Sequence, residues 1–67
     1  MFKEYMIYYR TNGNDTHDIY EDYSSKDAIK QCQYYNEDAL IDRIFTKTEE
    51  GWEEIPDWQW RDFTVNM

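Results

Sequence analysis

Cations are scarce in this chain: Lys and Arg number 7 against 15 Asp and Glu in 67 residues, which leaves a net charge of −8. Phosphate backbones repel so acidic a domain, which excludes ordinary direct binding to nucleic acid and argues against docking on an anionic membrane. Its natural partners are basic. Cysteine is nearly absent as well; Cys32 stands alone, so no internal disulfide can form and nothing points to an oxidising compartment. No apolar run approaches the roughly 18 residues of a membrane span. Met1-Phe2-Lys3-Glu4-Tyr5 also lacks the charged and apolar regions of a secretory signal. These absences predict a cytoplasmic protein. The sequon Asn14-Asp15-Thr16 has meaning only on a secretory route.

What is present is apolar and aromatic. Apolar types make up 40% of the chain and aromatics 19%, too much for a disordered acidic tail. The length suits one domain, residues 1–67, although a domain this small buries only about 60% of the surface its unfolded chain exposes. Its core alone should supply about 3 to 5 kcal/mol.

Residues 2–10 are dense in types that favour a pleated, half-buried surface. The cluster Asn12-Gly13-Asn14-Asp15 can supply positive φ, and Thr16 to Tyr23 alternates again, so the two segments predict a β-hairpin. Ser24-Ser25-Lys26-Asp27 fits a capping box with Ser24 as N-cap. Ala28, Ile29, Cys32 and Tyr35 then recur at helical spacing up to a stop at Asn36. A helix of about three turns is marginal alone and must be held by packing. Ala39 to Lys47 returns to β character, Glu49-Glu50-Gly51 supplies a turn, and Trp52 to Ile55 pairs back before Pro56. The reading is an α+β fold in ββαββ order, an antiparallel sheet with one helix on one face. The aromatic tail Asp57 to Phe63 either closes the core or forms a short fifth strand.

A helix covers one face of a sheet only, and the parity of the first loop decides which side chains share that face. An odd loop groups Tyr5, Ile7 and Tyr9 with Ile19 and Tyr23, leaving Tyr8, Asp18, Tyr20 and Asp22 on the other side. An even loop mixes Ile7 with Asp18 and Asp22. The odd loop separates polarity better and is the expectation. The third strand is ambiguous: Leu40 and Ile44 fall on one face around Asp42, Ile41 and Phe45 on the other around Arg43. A second cover is therefore expected from the Trp-rich tail, a second copy or a partner.

Chemistry finds little purchase. The only imidazole and thiol are His17, beside a loop, and Cys32, on the helix stripe, and the plain reading of the pair is a surface residue and a small core residue. Metal sites lack clustered Cys and His or an alternating Asp loop, and no cofactor is expected. Gly13 and Gly51 stand apart, so there is no glycine loop to cradle phosphate. An enzyme is not expected.

The acidic and aromatic surface remains. Asp15, Asp18, Glu21 and Asp22 form one group on the first hairpin; Glu49, Glu50, Glu53, Glu54 and Asp57 form another on the second. Alternate strand residues lie about 6.7 Å apart, so Asp18 and Asp22 around Tyr20 can imitate a phosphate track. Tyr20, Trp58 and Trp60 are the candidate anchors beside them.

The segments Tyr23-Ser24-Ser25-Lys26-Asp27-Ala28, Asp42-Arg43-Ile44-Phe45 and Glu50-Gly51-Trp52, set in a layout of hairpin, capped helix and hairpin, resemble those of small phage-encoded inhibitor proteins, anti-CRISPR proteins among them. The resemblance implies an acidic chain that looks like DNA to its target in the bacterial cytoplasm, and it carries over no functional residue. The expectation is an inhibitor of a basic, nucleic-acid-binding protein such as a CRISPR effector. The alternative is a small structural protein that dimerises through its second sheet face.

Overall fold

The computed structural model describes residues 1–64 of the chain. Two strands, β1 (Lys3–Thr11) and β2 (Asn14–Asp22), precede a helix, α1 (Ser25–Tyr35). Strands β3 (Leu40–Thr48) and β4 (Gly51–Ile55) follow, and the chain closes with 3₁₀ turns at Asp57–Gln59 and Arg61–Phe63. The sheet is antiparallel in the order β2-β1-β3-β4. Because β2 and β3 both run against β1, they are parallel to each other. The connection between them must cross over β1, and α1 makes that crossing on one face of the sheet. The α+β fold in ββαββ order is as expected. Asp57 to Phe63 do not form a fifth strand, and residues 65–67 lie outside the described residues.

The helix starts as its cap dictates. The Ser24 hydroxyl accepts the Asp27 backbone N–H at 3.3 Å, satisfying one of the amides that a helix start leaves open. At the other end the Asn36 side chain and backbone N–H both donate to the Cys32 carbonyl, at 3.0 and 2.9 Å. Among the described residues no helix is long and apolar enough to cross a membrane.

The first hairpin corrects the expected register. Its loop has two residues, with Thr11 opposite Asn14. Asn12 and Gly13 both take positive φ, 53° and 78°, as a type I′ hairpin turn requires. An even loop pairs Tyr5 with Tyr20, Ile7 with Asp18 and Tyr9 with Thr16. The helix-covered face of β2 therefore holds Asp18, Tyr20 and Asp22, not Ile19 and Tyr23. Ile19 is 55% exposed, and Tyr23 and Tyr35, also expected inside, are 63% and 67% exposed. Asp18 stays exposed on the edge strand, whereas Asp22 Oδ2 is buried without a hydrogen-bond partner among the described residues. Asp18 reaches the hydroxyls of Tyr9 and Tyr20 at 2.5 and 3.4 Å.

A bulge resolves the third strand. Tyr8 pairs with Arg43 and Tyr9 with Ile41, so Asp42 is the extra residue that opposes nothing. That slip brings Ile41 and Ile44, three apart, to the same face. Both are buried there with Tyr5, Ile7 and Tyr9 of β1 and with Ala28, Ile29 and Cys32 of α1. The tail completes this layer: Trp60 is 1% exposed, packs in the core cluster, and donates its indole N–H to the Ile55 carbonyl at 3.2 Å.

Candidate interaction surfaces

The sheet face away from the helix has no cover among the described residues. By register it carries an apolar row across three strands, Ile19–Met6–Phe45, continued by Glu54 on β4. Beside this row Tyr8 stacks on His17 at 4.9 Å and meets Phe45 edge-on at 5.6 Å. Trp52 lies under Lys47 at 5.1 Å. Met6, Phe45 and Trp52 are only half-buried. A shallow groove crosses the face between Tyr8, Asp15, Asp42, Arg43 and Phe45.

Charges on this face are mixed. Arg10 donates to Asp15 at 3.0 Å, and Arg43 lies 3.9 Å from Glu54. Both pairs are exposed, and such pairs add little stability. Glu21 stands on the same face with no such cation beside it in the register, opposite Glu4.

The first acidic group is thus divided between the two sides of the sheet. Asp15 and Glu21 share the uncovered face, while Asp18 and Asp22 turn toward the helix side. The phosphate-like row around Tyr20 is there engaged internally. Tyr20 is half-buried, and burial with the neighbouring Cys32 and Asp18 raises its hydroxyl pKa. Burial, and then Asp27, raises the pKa of Asp22 above the usual carboxylate range. In the second group Glu49 and Glu50 occupy the β3–β4 turn and are exposed. Glu53 points to the helix side and Glu54 to the uncovered face. Asp57 accepts Arg61 at 2.6 Å. Of the two tail tryptophans, Trp58 is 74% exposed and remains a candidate anchor, whereas Trp60 is a core residue.

The Cys–His pair is not assembled. Cys32 is buried under the helix and its thiol pKa is raised by burial; His17 lies against Tyr8 on the opposite side of the sheet. Among the described residues no group of His, Cys, Asp or Glu could hold a metal ion. The residues that sequence reasoning missed are Met6, Tyr8, Ile19, Phe45 and Trp52. The Asn12-Gly13 dipeptide marks Ile19 alone among them, because it specifies the two-residue loop that turns that residue outward.

The architecture defines an α+β domain whose sheet is covered by a helix on one face and open on the other among the described residues. Comparison with protein-family models, with curated proteins and with solved structures finds no match.

Proposed function

We propose that this chain is an interaction protein that inhibits a nucleic-acid-binding bacterial protein by occluding its basic groove. It is phage-encoded on this reading and acts in the bacterial cytoplasm. The observation that carries the reading is the uncovered sheet face, an aromatic and apolar patch on a chain of net charge −8. Tyr8, Phe45 and Trp58 supply contact area. Asp15, Glu21, Glu49, Glu50 and Glu54 supply a carboxylate rim where phosphates would otherwise dock. Since Asp18 and Asp22 are turned to the helix side, the geometry favours steric occlusion with an acidic rim over a continuous imitation of a phosphate track.

The test is capture of a basic target from bacterial lysate at low and high salt, followed by competition with duplex DNA. Binding should weaken with salt, be displaced by DNA, and fall when Glu49, Glu50 and Glu54 become Gln. Binding that ignores both salt and charge removal discards the reading. A second reading, a homodimer through the same face, is favoured by the Arg10, Arg43 and Lys47 cations that share that face with Glu21 and Glu54. Sedimentation at several concentrations separates the two.

A further inference from the structure

Strand β2 ends the sheet, and among the described residues no strand pairs with its outer side. In a two-residue hairpin the pair closing the turn is hydrogen-bonded, here Thr11 with Asn14, and the bonded pairs then alternate. Asn14, Thr16, Asp18, Tyr20 and Asp22 therefore direct their backbone groups at β1. The N–H and C=O groups of Asp15, His17, Ile19 and Glu21 point out of the sheet.

Exposed edges are ordinarily blunted by Lys, by Pro, by a bulge or by shortness. β2 has no Lys, Arg or Pro and no bulge, and it runs nine residues, Asn14–Asp22, in unbroken register with β1. Its formal charges are the carboxylates of Asp15, Asp18, Glu21 and Asp22, which blunt the edge against an acidic strand and not against a basic one. The opposite edge differs. β4 is five residues long and is ended by Pro56 and the 3₁₀ turns that follow.

From this edge we infer that β2 receives an extended, Lys- or Arg-bearing segment of the partner as an added antiparallel strand. The inference rests on the reading that the partner is basic, and it supplies the mode of docking. Backbone pairing at a sheet edge gives affinity, and alternate side chains give selectivity. The charge pattern argues against a second copy. Two β2 strands would gather eight carboxylates, four from each, along one seam with no Lys or Arg between them. The register centred on Asp18 would also set Asp18 against Asp18 and Asp15 against Glu21, and like charges so placed are destabilising. A cationic strand instead meets a carboxylate on both faces of the sheet, Asp15 and Glu21 on the open side, Asp18 and Asp22 on the helix side.

The same register writes a probe. Residues opposite Asp22, Glu21, Asp18 and Asp15 should be cationic and those between them β-formers, which gives acetyl-Lys-Lys-Val-Val-Lys-Thr-Thr-Lys-amide. Titrated into the intact protein at low salt, this peptide should bind and slow amide hydrogen exchange at Asp15, His17, Ile19 and Glu21. A peptide N-methylated at its fourth and sixth residues loses the two central donors and should bind about tenfold weaker. Ile19→Pro, which removes one open N–H, should weaken the unmodified peptide likewise.

If both peptides bind equally without protection of those four amides, strand addition is overturned while the basic-partner reading stands. If neither binds at any ionic strength, both fall. If the protein alone sediments as a dimer that Ile19→Pro dissociates, the edge belongs to a second copy and the inference is overturned.

Discussion

The two faces of the sheet are built from similar residue types and have opposite fates. Toward the helix, Tyr5, Ile7, Tyr9, Ile41 and Ile44 are buried under α1 and Trp60. Away from it, Met6, Tyr8, Ile19 and Phe45 form a comparable cross-strand set that stays half in water. The covered side bonds some of its polar groups, as with the Tyr9 hydroxyl on Asp18, and leaves Asp22 Oδ2 buried without a hydrogen-bond partner among the described residues. The open side relies on ring stacking and on cations over aromatic faces, contacts of order 1 kcal/mol each. Apolar composition alone therefore does not tell a core from an interface. A single 11-residue helix and a short tail are enough for one face, and the second is left for something else.

The largest expected effect separates the two tail tryptophans. Trp60→Ala should cost about 3 to 5 kcal/mol, near the whole stability expected of so small a core. Trp58→Ala should stay within about 0.5 kcal/mol. Equal urea midpoints for the two would break the distinction between core and surface tail.

A second loss should appear at high pH. Burial, reinforced by Asp18, pushes the Tyr9 hydroxyl up to about 12, and Tyr5 and Tyr20 are raised by burial as well. A raised tyrosine contributes stability that is complete below its unfolded value of about 10 and is lost as pH climbs through the folded value. Urea midpoints should therefore fall between about pH 10 and 12, with Tyr9→Phe flattening the decline. Constant midpoints across that window would show that the covered tyrosines are not held as described.

Smaller still, Gly13→Ala should cost about 1 to 2 kcal/mol. Its φ of 78° suits glycine, and no neighbouring atom crowds an added Cβ. A neutral result by thermal unfolding would question the turn that assigns the faces. The smallest effect belongs to Ile19→Lys on the open side, within about 0.5 kcal/mol by denaturation. A large loss there would mean that this face is already buried in the free protein.

Much of the architecture was legible in the chain. The Ser24 cap, the helical spacing of Ala28, Ile29 and Cys32, and the Gly51 turn placed every regular element in its order. Register is not, because polarity alone favours the odd loop whereas the Asn12-Gly13 turn favours the even one. Asn12-Gly13 dictates an even loop whatever it costs to place Asp18 and Asp22 on the helix side. The bulge at Asp42 has no sequence mark beyond the ambiguity it resolves. Nothing in spacing alone distinguishes Trp60 from Trp58; only the fold at Pro56, which swings the tail beneath the end of β4, decides between them.

The unpaired Asp42 works like an inserted letter in a two-beat text. Upstream of it the pleat is read in one frame, with Ile41 inward and Leu40 outward; downstream it is read in the other, with Ile44 inward and Phe45 outward. Deleting Asp42 would remove the bulge and leave a single frame in which Ile41 stays inward and Leu40 outward, in step with Ile44 and Phe45. Keeping Asp42 but forcing strict alternation would instead send Leu40 and Asp42 inward and Ile41 outward. The extra residue therefore keeps a carboxylate in solvent while both isoleucines stay in the core.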